Sequence, residues 1–255
     1  MKRTRQRVPA TIDEGVDASA RDAATRATQL HEETTLLQLA VDDVPRIAKL
    51  DYESWPEPLR VSEANVARRF ELGHLMLGIE HGSTLLGVVA FSYAPWSPQP
   101  NGAFPTTNAQ FNSQQHSKQH NAAFAYNLVV RPCLRGSSIS RRLIAAGLAQ
   151  VRRDGCDHLL GHARCPSYNG SDVAKIEHFS ANTIFRRAID DAVRSDTVPA
   201  LEILLLDPVL RFYYRALRCT FVRAMPGFLP EDEASGGMAV RFVKRLQPAG
   251  DGQYE

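Results

Sequence analysis

An α+β fold, with a mixed and mostly antiparallel central sheet flanked by helices, is predicted by three features of this sequence of 255 residues. Two runs of strand character, 75–80 and 85–93, are separated by residues 81–83, which have the composition of a hairpin turn. A third run, 124–130, leads through a short loop into an amphipathic stretch over 139–153. Strands joined by a tight turn pair antiparallel, so antiparallel pairing is expected to dominate.

Before the hairpin, the sequence predicts one tail, one strand and two helices. Residues 1–34 are polar, small and mixed in charge, without apolar periodicity, and are predicted to form a disordered N-terminal tail. The apolar run 36–41 is predicted to be the first strand. Asp42 or Asp43 is expected to cap the following helix, which prolines then end, and Ser62 is expected to cap the next helix.

Beyond the hairpin, the composition changes at 95–122, where Asn, Gln, Ser, Pro and Gly dominate. This segment is predicted to be a long inserted loop between two core strands, either a plain surface insertion or a lid over a site. Asp207 followed by Pro208 marks the start of a short helix. The main domain is predicted to span 35–247, with a disordered C-terminal tail at 248–255. The remaining predicted elements are a strand at 159–163, a helix at 172–193 and strands at 222–225 and 238–243.

Composition and charge exclude several classes of function. The net charge of +2 is too small to indicate nucleic acid or a membrane surface as the main partner. No apolar run approaches the roughly 20 residues that a bilayer span requires. The four cysteines lie far apart, without the spacing of a metal site, so we expect no metal, reduced thiols and a cytoplasmic protein.

The most informative segment joins the strand at 124–130 to the helix at 139–153. Its loop, Arg135–Ser140, contains small residues that let backbone N–H groups approach an anion closely. The helix N-terminus adds unpaired donors and a partial positive charge, and both features suit phosphate groups. On local physics alone, an ordinary strand-to-helix turn whose serines cap the helix explains the segment equally well.

The same segment resembles motif A of the Gcn5-related N-acetyltransferase (GNAT) superfamily, in which Arg/Gln-x-x-Gly-x-Gly/Ala follows a strand that ends in Val-x-Pro. Arg135 fills the first position, whereas Ser138 and Ser140 stand where Gly and Gly/Ala are usual. Two later blocks, 207–212 (DPVLRF) and 222–237 (VRAMPGFLPEDEASGG), resemble one branch of the superfamily. That branch includes GNAT domains fused to carbon–nitrogen hydrolases and the GNAT-like loading domains of polyketide synthases. The resemblance implies a GNAT fold for the main domain.

In this superfamily an acyl-CoA lies between the motif A strand and the next strand. The resemblance therefore implies acetyl-CoA or another acyl-CoA as the co-substrate. The end of the strand is expected to pair with the pantetheine arm, and the loop is expected to hold the pyrophosphate. The residues implied are Leu128, Val129, Val130, Arg135, Gly136, Ser137, Ser138, Ile139, Ser140 and Arg141.

A tyrosine on the helix after the next strand often protonates the leaving thiolate in these enzymes, within a pattern like Phe-Tyr-x-x-x-Gly. By that register Tyr213 is the implied acid and Tyr214 the alternative, since Leu217 stands where Gly is usual. Simple packing is the other explanation of both tyrosines. His162, in the strand predicted after motif A, is a candidate base, with a packed or surface histidine as the alternative.

The loading domains of that branch usually carry a histidine where Tyr213 stands, and this histidine is thought to serve decarboxylation of malonyl-CoA. A phenol has a pKa of about 10 and suits that proton transfer poorly near neutral pH. The tyrosine therefore favours plain acyl transfer over decarboxylation.

Together these features predict an acyl-CoA-dependent acyltransferase that moves an acetyl or other short acyl group to a small amine by direct attack in a ternary complex. No cysteine lies in a recognisable nucleophile motif, so a covalent acyl-enzyme is not expected. The thiol of an acyl carrier protein is the alternative acceptor. A catalytically weakened acyl-CoA-binding module is the alternative function, favoured by Ser138, Ser140 and Leu217. A homodimer is compatible with each of these.

Overall fold

A seven-stranded sheet forms the centre of the protein in the computed structural model, which describes residues 34–97, 108–113, 115–169 and 179–246. The strand order is β1-β2-β3-β4-β5-β7-β6. The strands are Thr34–Gln38 (β1), Leu75–His81 (β2), Thr84–Ala94 (β3), Ala122–Val130 (β4), His158–Arg164 (β5), Thr220–Met225 (β6) and Ala239–Arg245 (β7).

The sheet is mixed and mostly antiparallel, as predicted. The pairs β2–β3, β3–β4, β5–β7 and β6–β7 are antiparallel, whereas β4 and β5 are parallel. The helices are Val44–Ser54 (α1), Glu63–Glu71 (α2), Asn108–Ser113 (α3), Ile139–Arg153 (α4), Phe179–Ser195 (α5), Leu201–Leu204 (α6) and Pro208–Leu217 (α7). The tails predicted at 1–34 and 248–255 lie outside the described residues, apart from Thr34.

Helices cover both faces of the sheet. The apolar positions of α4, including Ile139, Leu143 and Val151, pack in one cluster with side chains of α5 and α7. Residues of α1 and α2 pack against the opposite face in a second cluster. Gly147 lets α4 lie close to β3, because a Cβ at this position would stand 2.4 Å from Cζ of Phe91.

Polar side chains set the helix boundaries that the sequence predicted. The hydroxyl of Ser62 accepts a hydrogen bond from the backbone N–H of Asn65 at 3.3 Å, which caps α2. Asp207 caps α7 by accepting from the N–H groups of Val209 and Leu210 at 2.8 and 3.1 Å. These two capping predictions are confirmed, whereas Asp43 stands at the start of α1 without a side-chain cap to its backbone.

The first strand is shifted from its predicted position, because β1 is Thr34–Gln38 rather than 36–41. The carboxylate of Asp43 accepts a hydrogen bond from the N–H of Ala40 at 3.0 Å. This contact turns Val41–Asp43 into a 3₁₀ turn ahead of α1. The strand therefore ends at Gln38, and the last three residues of the predicted run, 39–41, lie outside it.

Hydrogen bonds join the two ends of the inserted segment between β3 and β4. The amide of Asn121 accepts from the N–H of Trp96 at 2.7 Å and donates to its carbonyl at 2.8 Å. Helix α3 is the one regular element described within the segment, and residues 98–107 lie outside the described ranges. None of the helices in the described ranges combines the length and apolar composition that a bilayer crossing requires.

Candidate functional site

The parallel strands β4 and β5 separate in the middle of the sheet. Their pairing runs from Ala122↔His158 to Ala125↔Gly161 and goes no further, although both strands continue. The register between β3 and β4 shifts at the same level, where Ala90 pairs with Asn127 and Phe91 with Ala125. Tyr126 is therefore the extra residue of a β-bulge, which bends β4 away from β5.

The gap exposes one backbone edge of β4 over residues 126–130, because no β5 residue pairs with them. A row of unpaired strand N–H and C=O groups is a template for an extended ligand. Of the predicted pantetheine contacts, Leu128 lines this gap, whereas the side chain of Val129 is buried on the opposite face, among residues of α1 and α2. Val130 is half-buried against the α4 cluster. The side chains of these three residues therefore lie on different faces of the sheet, but their backbone groups share the same open edge of β4.

The loop before α4 presents unpaired backbone donors. Among the described residues, no hydrogen bond is formed by the backbone N–H groups of Gly136 and Ser138 in the loop, nor by those of Ser140 and Arg141 in the first turn of α4. The N–H of Ile139, by contrast, donates to the hydroxyl of Ser137 at 3.3 Å. Such donors at a helix N-terminus attract an anion.

Two residues give the loop its shape. Gly136 has a φ of +84°, in the left-handed region that side chains other than glycine rarely adopt. Arg135 donates from Nη2 to the carbonyl oxygen of Ser54 at 2.5 Å and so ties the loop to the end of α1. Arg135 thus has a structural contact in addition to its predicted role near phosphate.

A cavity lies between the separated strands and the helices α4 and α7. The space between these elements, counted together with the part that is open to solvent, is about 430 Å³. Its walls are mostly apolar, with a few polar groups. The lining residues are Val89, Phe91, Ala125, Tyr126, Asn127, Leu128, Ile144, Leu148, Leu159, His162, Tyr213, Leu217 and Phe242.

Tyr213 brings a phenol to this cavity. Its ring stacks on Phe242, with centroids 5.1 Å apart. Among the described residues nothing hydrogen-bonds its hydroxyl, which leaves the O–H for a ligand. Burial, and secondarily Cys219, raise the pKa of Tyr213 to about 12, so the phenol keeps its proton at neutral pH.

Tyr214 is not among the described residues that line the cavity. The guanidinium carbon of Arg218 lies 5.8 Å from the centroid of its ring. Successive helix residues point about 100° apart, so one helix does not direct both tyrosines to the same place. Of the two predicted acids, Tyr213 is the one that the fold brings to the cavity.

His162 reaches the cavity from β5. Its ring stacks on Phe228, with centroids 3.9 Å apart, and its Nε2 accepts a hydrogen bond from Nε of Arg241 at 3.1 Å. Burial, and then Arg241, hold the pKa of His162 well below its usual value. The imidazole is therefore neutral at neutral pH, but a proton taken up at Nε2 would displace the Arg241 bond and lie beside a cation.

A buried polar network behind β4 was not predicted from the sequence. Tyr126 Oη lies 2.8 Å from Nδ1 of His74, and Arg69 lies over the Tyr126 ring at 5.1 Å. Burial raises the pKa of Asp51, opposed by hydrogen bonds from the backbone of Val61 and the side chain of Asn127. The signal for this network is that Asp51, Arg69 and His74 occupy buried positions among apolar neighbours, which only the three-dimensional structure reveals.

The two sequence blocks, 207–212 and 222–237, each contribute a carboxylate that connects loops and helices around the cavity. Asp207 caps α7 and also accepts from the N–H of Ser167 at 2.9 Å, so it fixes the loop after β5 to the helix that carries Tyr213. Asp232, whose side chain is buried, accepts from Nη2 of Arg164 at 2.7 Å and from the hydroxyl of Ser235 at 2.5 Å. Both acids are therefore structural supports.

Solved structures that superpose on most of this chain identify the fold. The GphF GNAT-like decarboxylase in complex with isobutyryl-CoA matches with a TM-score of 0.63 and 21% identity, over 84% of this chain and 100% of that chain. The loading GNATL domain of CurA from Lyngbya majuscula matches with a TM-score of 0.63 and 19% identity, over 84% of this chain and 98% of that chain. This chain has the GNAT fold.

A third structure, the malonyl-CoA decarboxylase from Agrobacterium vitis, matches with a TM-score of 0.61 and 15% identity, over 91% of this chain and 66% of that chain. Neither a family model nor a curated protein matches the sequence. The prediction of a GNAT fold from motif A and the two later blocks is confirmed. At these identities the likeness establishes the fold, and the reaction has to be argued from the site.

Proposed function

We propose that this protein binds an acyl-CoA in the gap between β4 and β5 and transfers its short acyl group to an amine. One observation carries the proposal: along the chain, the open backbone edge of β4 is followed by four unpaired N–H groups in the loop and the first turn of α4. A CoA thioester has an extended, amide-containing arm that ends in a pyrophosphate. The strand edge suits the arm, and the loop suits the pyrophosphate.

The cavity at the inner end of this path suits the acyl group. Its apolar side chains accommodate a short acyl chain, and Tyr213 lines the same space. In the proposed reaction the amine nitrogen attacks the thioester carbonyl carbon, and the tetrahedral intermediate then loses the C–S bond. Tyr213 donates its proton to the leaving thiolate and regains one from solvent.

The attacking amine also has to lose a proton. His162 is the proposed base, because it is neutral and lines the cavity. The neighbouring Arg241 makes its protonated form short-lived, so His162 would pass the proton on to solvent rather than hold it. Both transfers need a ternary complex and no covalent acyl-enzyme.

A second candidate acceptor is the thiol of an acyl carrier protein, which the likeness to the CurA loading domain favours. Decarboxylation of a malonyl-CoA is less well supported, although three of the matching structures are decarboxylases. The phenol of Tyr213 remains protonated and does not provide the ready proton exchange that this step needs near neutral pH.

Acetyl-CoA binding tests the first part of the proposal. At one hundred times its Kd, acetyl-CoA should stabilise the protein by about 2.7 kcal/mol. Ser138→Glu places a carboxylate beside the unpaired amides and should abolish this shift. Ala145→Glu, at an exposed position of α4, is the matched control and should retain it. A wild-type protein without any shift would refute the CoA site.

Thiol release from acetyl-CoA with a panel of amines and a carrier protein then tests the reaction. Turnover with an amine supports N-acylation, and turnover with the carrier alone supports the second acceptor. Binding without turnover for any acceptor would indicate the acyl-CoA-binding module. Release of CO₂ from malonyl-CoA would contradict the role given to Tyr213.

A further inference from the structure

The last residues of the inserted segment, 116–121, are fastened to neighbouring elements, and we call this stretch the strap. The backbone N–H of Ser117 donates to the carbonyl of Tyr93, near the end of β3, at 2.8 Å. A further contact is made by the ring of His120, which reaches the C-terminal end of α4. The strap therefore connects β3 to the end of α4 opposite the candidate anion loop.

His120 contacts a carbonyl oxygen with each of its ring nitrogens. Nδ1 lies 2.7 Å from the carbonyl oxygen of Ser117, and Nε2 lies 2.9 Å from that of Asp154. A carbonyl oxygen only accepts hydrogen bonds, and a neutral imidazole carries a single N–H. Only the protonated ring, in which both nitrogens donate, satisfies both contacts. The geometry therefore selects the cationic form of His120.

The end of α4 suits a cation. Asp154 directly follows the last residue of the helix, where unpaired carbonyl groups create a partial negative charge. The same residue also bears a carboxylate, which accepts hydrogen bonds from the hydroxyl of Tyr93 at 2.6 Å and from Nε2 of Gln150 at 2.8 Å. The ring of His120 lies against Tyr93, with centroids 4.9 Å apart. A charged imidazole is therefore held beside a helix C-terminus and an acidic residue.

His116 is the neutral partner of His120 in the strap. The centroid of its ring lies 5.5 Å from that of His120 and 4.6 Å from that of Tyr93. Its Nδ1 is buried, without a hydrogen-bond partner among the described residues. Burial, and then the neighbouring His120, lower the pKa of His116. Since two adjacent imidazoles repel each other when both are charged, the proton is placed on His120.

The other ionisable groups near the strap come from β3, from the end of α4, from the start of β5 and from the strap itself. They are Tyr93, Arg153, Asp154, Cys156, Asp157, His158 and Lys118. Burial raises the pKa of Tyr93 and of Cys156, so both keep their protons near neutral pH. Burial lowers the pKa of His116 and of His158, which favours their neutral forms. The charge that holds the strap is therefore that of His120.

We propose that His120 fastens the strap to α4 only while its imidazole is protonated, which makes the strap a pH-sensitive contact. When the proton leaves, one of the two carbonyl oxygens loses its donor and faces a ring lone pair. Because the folded strap favours the protonated ring, the contact is complete below about pH 6.5, where histidine ordinarily titrates, and is lost as the pH rises further. The inference is independent of the proposed function.

Hydrogen exchange of the full chain tests the strap. The amide of Ser117 reports on its opening, because this N–H is bonded to Tyr93. After correction for intrinsic exchange rates, its protection should fall about tenfold between about pH 5.5 and about pH 8.5, as expected for the loss of one charge-assisted hydrogen bond. The amide of Arg211 in α7 is the reference and should keep its protection.

Two matched substitutions separate the histidines. A glutamine amide carries both of its N–H donors on one nitrogen, so His120→Gln cannot reproduce the two contacts at any pH. In His120→Gln the protection of Ser117 should already be low, and it should change by less than about twofold over the same pH range. His116→Gln keeps the His120 contacts and should retain a fall of about tenfold.

Nuclear magnetic resonance of the wild-type protein with ¹⁵N-labelled histidine adds a direct readout, with His116→Gln and His120→Gln used to assign the signals. As the pH is raised, both ring nitrogens of His120 should still carry protons at a pH at which His116 already carries only one. Loss of the proton from His120 before His116 would overturn the inference. Protection of Ser117 that falls equally in wild type and His120→Gln would overturn it as well.

Discussion

Replacing Tyr213 by phenylalanine separates a catalytic phenol from a packing ring. The ring contacts with Phe242 are kept, and only a hydroxyl without a described partner is lost. Removing such a hydroxyl should change the free energy of unfolding by less than about 1 kcal/mol. Removing a general acid should lower kcat by about 10²- to 10⁴-fold, which corresponds to about 3 to 5 kcal/mol of barrier.

The assay is thiol release from acetyl-CoA at saturating acceptor, with urea unfolding measured on the same preparations. Tyr214→Phe is the matched control, and its kcat should stay within about twofold of wild type, since its ring faces Arg218. The pH profile adds a second readout. Because the pKa of Tyr213 is raised to about 12, the acid stays protonated and its loss should not limit kcat below about pH 11. Undiminished turnover in Tyr213→Phe, or equal losses in both variants, would refute the assignment.

Three further predictions concern the loop, the cap of α7 and the packing of α4. Cys133 is exposed beside the loop, whereas Cys219 is buried and burial raises its pKa to about 12. A thiol reagent should therefore label Cys133 first. Bound acetyl-CoA should slow the labelling of Cys133 several-fold. Asp207→Ala should destabilise the fold by about 2 to 4 kcal/mol in urea unfolding, from the lost cap and an unpaired N–H, and Asp207→Asn by less. Gly147→Ala should lower stability by about 1 to 3 kcal/mol and weaken acetyl-CoA binding in a titration, because the new methyl group displaces Phe91 from the cavity wall. Labelling that is indifferent to acetyl-CoA, a neutral Asp207→Ala or a stabilised Gly147→Ala would each contradict the corresponding contact.

Local signals in the sequence were sufficient to predict most of the helices and strands. Caps such as Ser62 and Asp207 act within three residues of themselves, so their positions follow from the sequence alone. The shift of β1 depended on one carboxylate, Asp43, which accepts from the backbone N–H of Ala40 and not from a backbone N–H of the helix that follows. Propensity does not distinguish these two choices, and the geometry of the turn decides between them.

The candidate site was only partly predictable for a different reason. The loop before α4 is a continuous segment and could be recognised as one. The gap between β4 and β5 depends on a bulge at Tyr126, and nothing in the alternation of the strand marks the extra residue.

A crystal structure of the protein with acetyl-CoA tests the central claim most directly. The account predicts pyrophosphate oxygens about 3 Å from the N–H groups of Gly136, Ser138, Ser140 and Arg141. It also predicts the pantetheine arm along β4 after the bulge and the acetyl group near the Tyr213 hydroxyl. A β4–β5 gap that stays empty at saturating acetyl-CoA, or a nucleotide bound elsewhere on the surface, would contradict it.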